Sequence, residues 1–176
     1  MSHSAFHHRF VSGLTLPPVR WSSDIEDIVL ANQSATLYTT YNLITILMQR
    51  AFLASSLTHL FSPRDAQPAP PGLTHAVTAH AVAVNSAKAL AQILTIIHKR
   101  AISNVPLLLV GAEIAAAVLC LDHWIIKARI GDDLAPSSRL RAAADHTIES
   151  HVQDVQSLLD ALRWAAPRWE TAQEKL

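Results

Sequence analysis

The sequence predicts an all-α protein, a bundle of four main helices with short flanking helices. Three observations lead there. Apolar residues recur at helical spacing through four long segments. Clusters of Pro, Gly, Ser and Asp separate those segments, and no stretch alternates apolar and polar residues as a half-buried strand would. The composition, 50% hydrophobic and 16% charged over 176 residues, suits one globular domain with a sizeable core.

Residues 1–23 read as an irregular N-terminal segment, because Leu16-Pro17-Pro18 breaks any helix there. The helical domain is expected over 24–176. Ser23 and Glu26 have capping-box spacing, so a short helix is expected over 24–30. A long helix is expected over 33–57. Its apolar positions Leu37, Tyr41, Ile44, Met48 and Phe52, with Leu43, Ile46, Leu47 and Leu53 beside them, give a broad face expected to form core. Arg50, near the C-terminal end, suits the helix dipole and is expected to cap or bridge neighbouring helices. Residues 62–72, SPRDAQPAPPG, hold four of the nine prolines and form a connector.

A helix over 73–100 follows, with Val77, Ala81, Val84, Lys88, Ala91 and Leu94 at turn spacing, Leu90, Ile93 and Ile97 alongside, and Lys99 and Arg100 in its last turn. Ser103-Asn104 offers a cap for the next helix, with Pro106 in its first turn, and Gly131-Asp132-Asp133 and Pro136 end it. The last main helix opens at Ser137-Ser138 and is expected to bury Leu140, Ala144, Ile148, Val152, Val155, Leu158, Leu159 and Leu162. Pro167 interrupts it, and a last short helix is expected over 167–176.

Lys and Arg together number 14, as do Asp and Glu, so no basic excess marks a phosphate-binding surface and direct nucleic-acid contact is not expected. A single cysteine rules out an internal disulfide and a multi-cysteine zinc site, and fits a reducing compartment. The N-terminus has no apolar core of a secretory signal. The apolar run over 105–121 carries Glu113 at its middle and reads as a buried core helix, with no membrane association expected.

Ten histidines invite a metal, yet the pairs His75/His80 and His146/His151 are five apart and diverge on a helix, and His3/His7 lie in a segment without apolar periodicity. Glu149 stands two residues before His151, the wrong offset for a di-iron bundle. There is no HExxH, phosphate loop or G-x-S-x-G elbow. Cys120, among Ala, Val and Leu, reads as a buried inert thiol, and Trp21, Trp124, Trp164 and Trp169 as anchors at helix ends. No enzyme activity is expected, and no catalytic, metal-binding or DNA-binding residue is assigned.

The segment from residue 37 to 53, L-Y-T-T-Y-N-L-I-T-I-L-M-Q-R-A-F-L, resembles the signature helix L-H-x-x-Y-x-x-x-x-I-L-L-H-R-P-F-L of the fungal-specific transcription factor domain, the middle homology region of zinc binuclear-cluster regulators of the xylanolytic-activator-like group. Leu37, Tyr41, Ile46, Leu47, Arg50, Phe52 and Leu53 match it; Tyr38, Met48, Gln49 and Ala51 depart. Residues 83–90 stand in the register of that family's C-x-x-A-A-x-x-I helix, with Ala83 for the Cys and Ser86 for the first Ala. The Ala-rich helix over 104–121 and the closing Leu158, Leu159, Leu162, Trp169, Ala172 and Leu176 follow in the family order.

The resemblance covers only the C-terminal part of such a region. It implies a nuclear regulatory or interaction module, either a fragment of a longer regulator or a truncated relative. The partners it implies are other proteins or the rest of the regulator, a small-molecule inducer and self-association. The zinc cluster that reads DNA in this family needs six cysteines, so zinc is expected only in an N-terminal module that this chain lacks. Leu37, Tyr41, Arg50, Phe52 and Leu53 are then the candidate site, structural or lining a pocket, with Tyr41 and Arg50 the polar groups expected to face it. The alternative is a stand-alone helical scaffold or small-ligand-binding bundle with no transcriptional role.

Overall fold

The computed structural model describes residues 26–60, 73–100, 107–130 and 139–167. They form four helices: α1 (Ile28–Leu60), α2 (Leu73–Lys99), α3 (Leu108–Ile130) and α4 (Arg139–Ala165). Among the described residues there is no strand, and the four-helix, all-α architecture expected from sequence is what is observed. The N-terminal segment 1–23, the connector 62–72, the caps at Ser103-Asn104 and Ser137-Ser138, and the closing segment 168–176 lie outside the described residues.

α1 is one continuous helix, not the expected short helix followed by a long one. No breaker falls between Leu30 and Gln33, and the start is fixed by Asp27. Its Oδ1 accepts from the amides of Val29 at 2.7 Å and Leu30 at 3.2 Å, while its carbonyl accepts from Ala31 at 2.9 Å. A carboxylate there satisfies two orphan donors and meets the positive end of the helix dipole. At the C-terminal end of α2, His98 and Lys99 complement the opposite pole. The chain turns at Ala166 and Pro167, after the amide of Ala166 donates to the Leu162 carbonyl at 2.8 Å.

α2 is the hub: it packs on α1, α3 and α4, α3 and α4 pack on each other, and α1 adds a smaller contact with α3. Its buried residues change size along its length. Ala76, Ala79, Ala83 and Ala87 come first, and Leu90, Ile93, Leu94 and Ile97 follow. Ala31 and Ala35 of α1, Ala112 and Ala115 of α3, and Ala161 and Ala165 of α4 join the same core. Small side chains let helix axes approach, and the Leu and Ile layer supplies the larger share of apolar burial.

Several expected core positions turn outward. Val77 and Ala81 of α2 and Val152 of α4 are exposed, while Ala76, Ala79, Ala83 and His151 face in. Cys120 is exposed as well, correcting the expectation of a buried thiol; it follows directly after the fully buried Leu119 on α3. Glu113 on α3 is also exposed. By length and composition alone, α2 over His75–Lys99 and α3 over Leu108–Ala128 could each cross a membrane; both supply core residues of the bundle. Trp164 does act as an anchor, stacking on His98 with ring centroids 5.7 Å apart, which ties α4 to the end of α2. Trp124 is exposed, and Trp21 and Trp169 lie outside the described residues.

Gly111 marks the place where three helices meet. A Cβ built on it would lie 3.4 Å from Thr39 Cγ2 on α1 and 3.8 Å from Leu90 Cδ2 on α2. One methyl fits at ordinary contact distance, and a larger side chain does not. Gly111→Ala is therefore expected to raise stability by up to about 1 kcal/mol through helix propensity. Gly111→Leu is expected to lower it, by about 1–3 kcal/mol for overpacking. Urea denaturation of the two variants beside the parent chain checks both signs.

Candidate functional site

α1 carries large apolar residues on two faces. Its inner face buries Ala31, Ala35, Thr39, Asn42, Leu43, Ile46 and Leu53. Its outer face presents Leu37, Tyr41, Ile44 and Met48, which are 68, 39, 51 and 66% exposed. These four recur at spacings of four, three and four residues, so they form one stripe along the helix. The expectation that this stripe is core is corrected here. From Ala31 to Asn42 the residues that α1 fully buries are small, Leu37 and Tyr41 stay outside, and Tyr38 is half-buried against the core.

Four polar side chains of α1 bond to its own backbone, whereas the buried Thr39 Oγ1 and Asn32 Oδ1 have no partner among the described residues. The hydroxyls of Thr36, Thr40 and Thr45 donate to the carbonyls of Asn32, Thr36 and Tyr41 at 2.8, 2.7 and 2.8 Å, and Asn42 Nδ2 donates to the Tyr38 carbonyl at 2.9 Å. Each bond folds a polar group against its own helix. From Ile28 to Gln49 no charged residue interrupts α1. The outer stripe is thus wide, uncharged and low in free hydrogen-bonding groups, the character of the centre of a protein interface.

Of the five candidate residues, only Leu53 is buried. Leu37, Tyr41 and Phe52 are exposed, and so is Arg50, which makes no ion pair or hydrogen bond among the described residues. Tyr41 and Arg50 therefore lie on exposed positions of α1, and among the described residues Arg50 neither caps nor bridges a neighbouring helix.

A second polar feature escaped the sequence. His80 on α2, Asp122 on α3 and His151 on α4 converge. His80 Nε2 lies 2.7 Å from Asp122 Oδ1 at hydrogen-bond distance, and His151 Nε2 lies 3.5 Å from Asp122 Oδ2. The second separation allows attraction but makes no hydrogen bond. His151 is 1% exposed, and neither of its ring nitrogens has a hydrogen-bond partner. Burial pushes its pKa below the usual histidine value, helped by the Lys88 cation and His123, while Asp122 and Asp154 pull the other way. Burial likewise raises the Asp154 carboxyl, with Lys88 and His151 opposing. Among the described residues, no group of three or more His, Cys, Asp or Glu side chains is placed to hold a metal ion.

His80 and Asp122 are 42 residues apart, so no local motif announces their pairing. One signal was available: His151 falls in the same register as Ile148, Val155, Leu158 and Leu162, a polar residue in an apolar row.

The two faces of α1 separate cleanly by mutation. Leu37→Ser, Met48→Ser and Arg50→Ala are each expected to shift stability by no more than about 0.5 kcal/mol, as surface changes do. Ile46→Ala, at a position 2% exposed, is expected to cost about 2–5 kcal/mol. Denaturant midpoints at constant m-value measure all four; a loss above about 2 kcal/mol at Leu37 or Met48 would return the outer stripe to the core.

No family model, curated protein or solved structure matches the chain.

Proposed function

We propose that this chain is a regulatory interaction module of the fungal transcription factor type, acting in the nucleus through protein partners and without contacting DNA itself. The observation that carries the reading is the outer face of α1. Leu37 and Tyr41, two residues that match the family's signature helix, stand there exposed beside Ile44 and Met48. A lone folded chain gains nothing from showing that stripe to water, whereas a module that docks on another protein buries it. The even charge balance, 14 against 14, supports a protein partner over a polyanion. In this reading a small-molecule inducer would act by biasing which packing of the helices the partner meets, because a ligand shifts an equilibrium only through its differential affinity for the two states.

The same face also suits a helical scaffold with no transcriptional role, so the test must read transcription. The full chain is tethered to a heterologous DNA-binding domain in a fungal reporter strain, with and without Leu37→Ser, Tyr41→Ser and Met48→Ser together. A severalfold change in reporter output by the parent chain, lost in the triple variant, is expected. Output equal to that of the DNA-binding domain alone, from a chain shown to be helical and nuclear, would overturn the regulatory reading and leave the scaffold.

A further inference from the structure

α4 is held unevenly. Its second half contributes Leu158, Ala161, Leu162 and Ala165 to the core. Its first half contributes less: Ala142, Ala143, Asp145, His146 and Glu149 are exposed, and Arg141, Ala144, Thr147, Ile148 and Ser150 are only half-buried. His151 is the first buried residue along α4 among those described, so it stands where the helix enters the core. What it meets there is polar. α2 brings His80 and Lys88, α3 brings Asp122 and His123, and α4 itself adds Asp154.

We infer that His151 is a proton-controlled catch for the first half of α4: neutral, it stays buried beside Asp122; protonated, it leaves, and residues 139–150 come away from the bundle. The geometry gives the reason. An imidazolium carries two N–H donors and needs two acceptors. Nδ1 of His151 has none, and its Nε2 faces a carboxylate oxygen 3.5 Å away whose partner oxygen His80 already holds at 2.7 Å. Lys88 and His123 oppose a new positive charge, Asp122 and Asp154 favour it, and the desolvation of a side chain 1% exposed outweighs both. Opening the first half of α4 gives the cation to water, while the second half stays docked through Leu158, Ala161, Leu162 and Ala165, with the half-buried His98 stacked on Trp164 the titratable group beside it.

The sign follows from linkage. A histidine whose pKa is lowered by folding contributes stability that is fully present above the unfolded value and is lost as pH falls through it, so the window opens below about pH 6.5. Asp154, raised by burial, titrates above the usual carboxylate value and with the opposite sign, so it offsets part of the loss toward the acidic end of the window.

Amide hydrogen exchange of the full chain at about pH 7 and about pH 5, corrected for intrinsic rates, reads the two halves of α4 separately. Protection over 139–150 is expected to fall, by up to a factor of about ten for each pH unit below about 6.5 over which the opened state is charged and the closed state stays neutral. Protection over 158–165 is expected to hold. His151→Leu, which fills the site without a titratable group, is expected to remove the pH effect. Should that variant fail to fold, Lys88→Met is expected to make the loss smaller by relieving the pressure on His151. The inference is overturned by unchanged protection over 139–150, by equal loss across the whole of α4, or by the same loss in a folded His151→Leu chain or an undiminished one in Lys88→Met. None of these outcomes depends on a transcriptional role.

Discussion

Everything in this bundle leans on the buried side of α2. It is the only helix with substantial contacts to each of the other three, so α1 and the α3–α4 pair are joined largely through it. Its buried residues make that role possible. Ala76, Ala79, Ala83 and Ala87 take little room, while Leu90, Ile93, Leu94 and Ile97 occupy the far half. The Leu and Ile half then provides the apolar area that holds the fold, at about 25 cal/mol per Å² removed from water. A helix with this much responsibility tolerates few changes of volume, because close-packed interiors have little room to relax.

The same packing bears on α1. Thr39 meets the bundle where Gly111 of α3 and Leu90 of α2 come together, so there a small residue of α1 stands beside the large half of α2. Between Ala31 and Asn42 the buried residues of α1 are Ala31, Ala35, Thr39 and Asn42, Tyr38 is half-buried against the core, and Leu37 and Tyr41 point out. The usual relation between size and burial is inverted there. It returns further along, where Leu43, Ile46 and Leu53 are buried. An apolar stripe left outside is the feature on which the proposed partner docking rests, and it suits docking best where its polar neighbours do not demand water. On α1 the threonine and asparagine bonds to the helix's own carbonyls reduce that demand.

How far the sequence could be read follows from these two points. Helix existence, order and approximate length were legible, because periodicity over more than twenty residues and the Pro and Gly punctuation between segments report local chemistry. Helix rotation was less so. Ranking residues by hydrophobicity placed Leu37, Tyr41, Ile44 and Met48 in the core and passed over Ala31, Ala35 and Thr39, because the gain from close backbone approach belongs to a pair of helices and appears in neither sequence segment alone. Cys120 and Val152 were misplaced for the same reason. The N-terminal boundary slipped because two cap candidates lie within a few residues, and the Asp27 carboxylate rather than Ser23 marks where the described helix begins. The His80–Asp122–His151 junction was illegible: its members come from three helices and share no spacing rule, and only the misfit of His151 in an apolar register hinted at it.

That misfit also shows how stability is distributed. A leucine at position 151 would bury as well as its neighbours and demand no hydrogen bonds. A histidine there leaves two ring nitrogens dry, a cost of about 1–3 kcal/mol for each buried unsatisfied group. The cost falls where α4 has least else to hold it, since the next fully committed core residues lie two turns on, at Leu158 and beyond. α4 therefore comprises a second half that supplies core residues and a first half that is only half-buried at best before His151. α1 is comparably lopsided, bound on its inner face and bare on its outer one. The α2 hub joins the two flanks, so on the inference above the proton-dependent change belongs to the α4 side, while the bare apolar face belongs to α1.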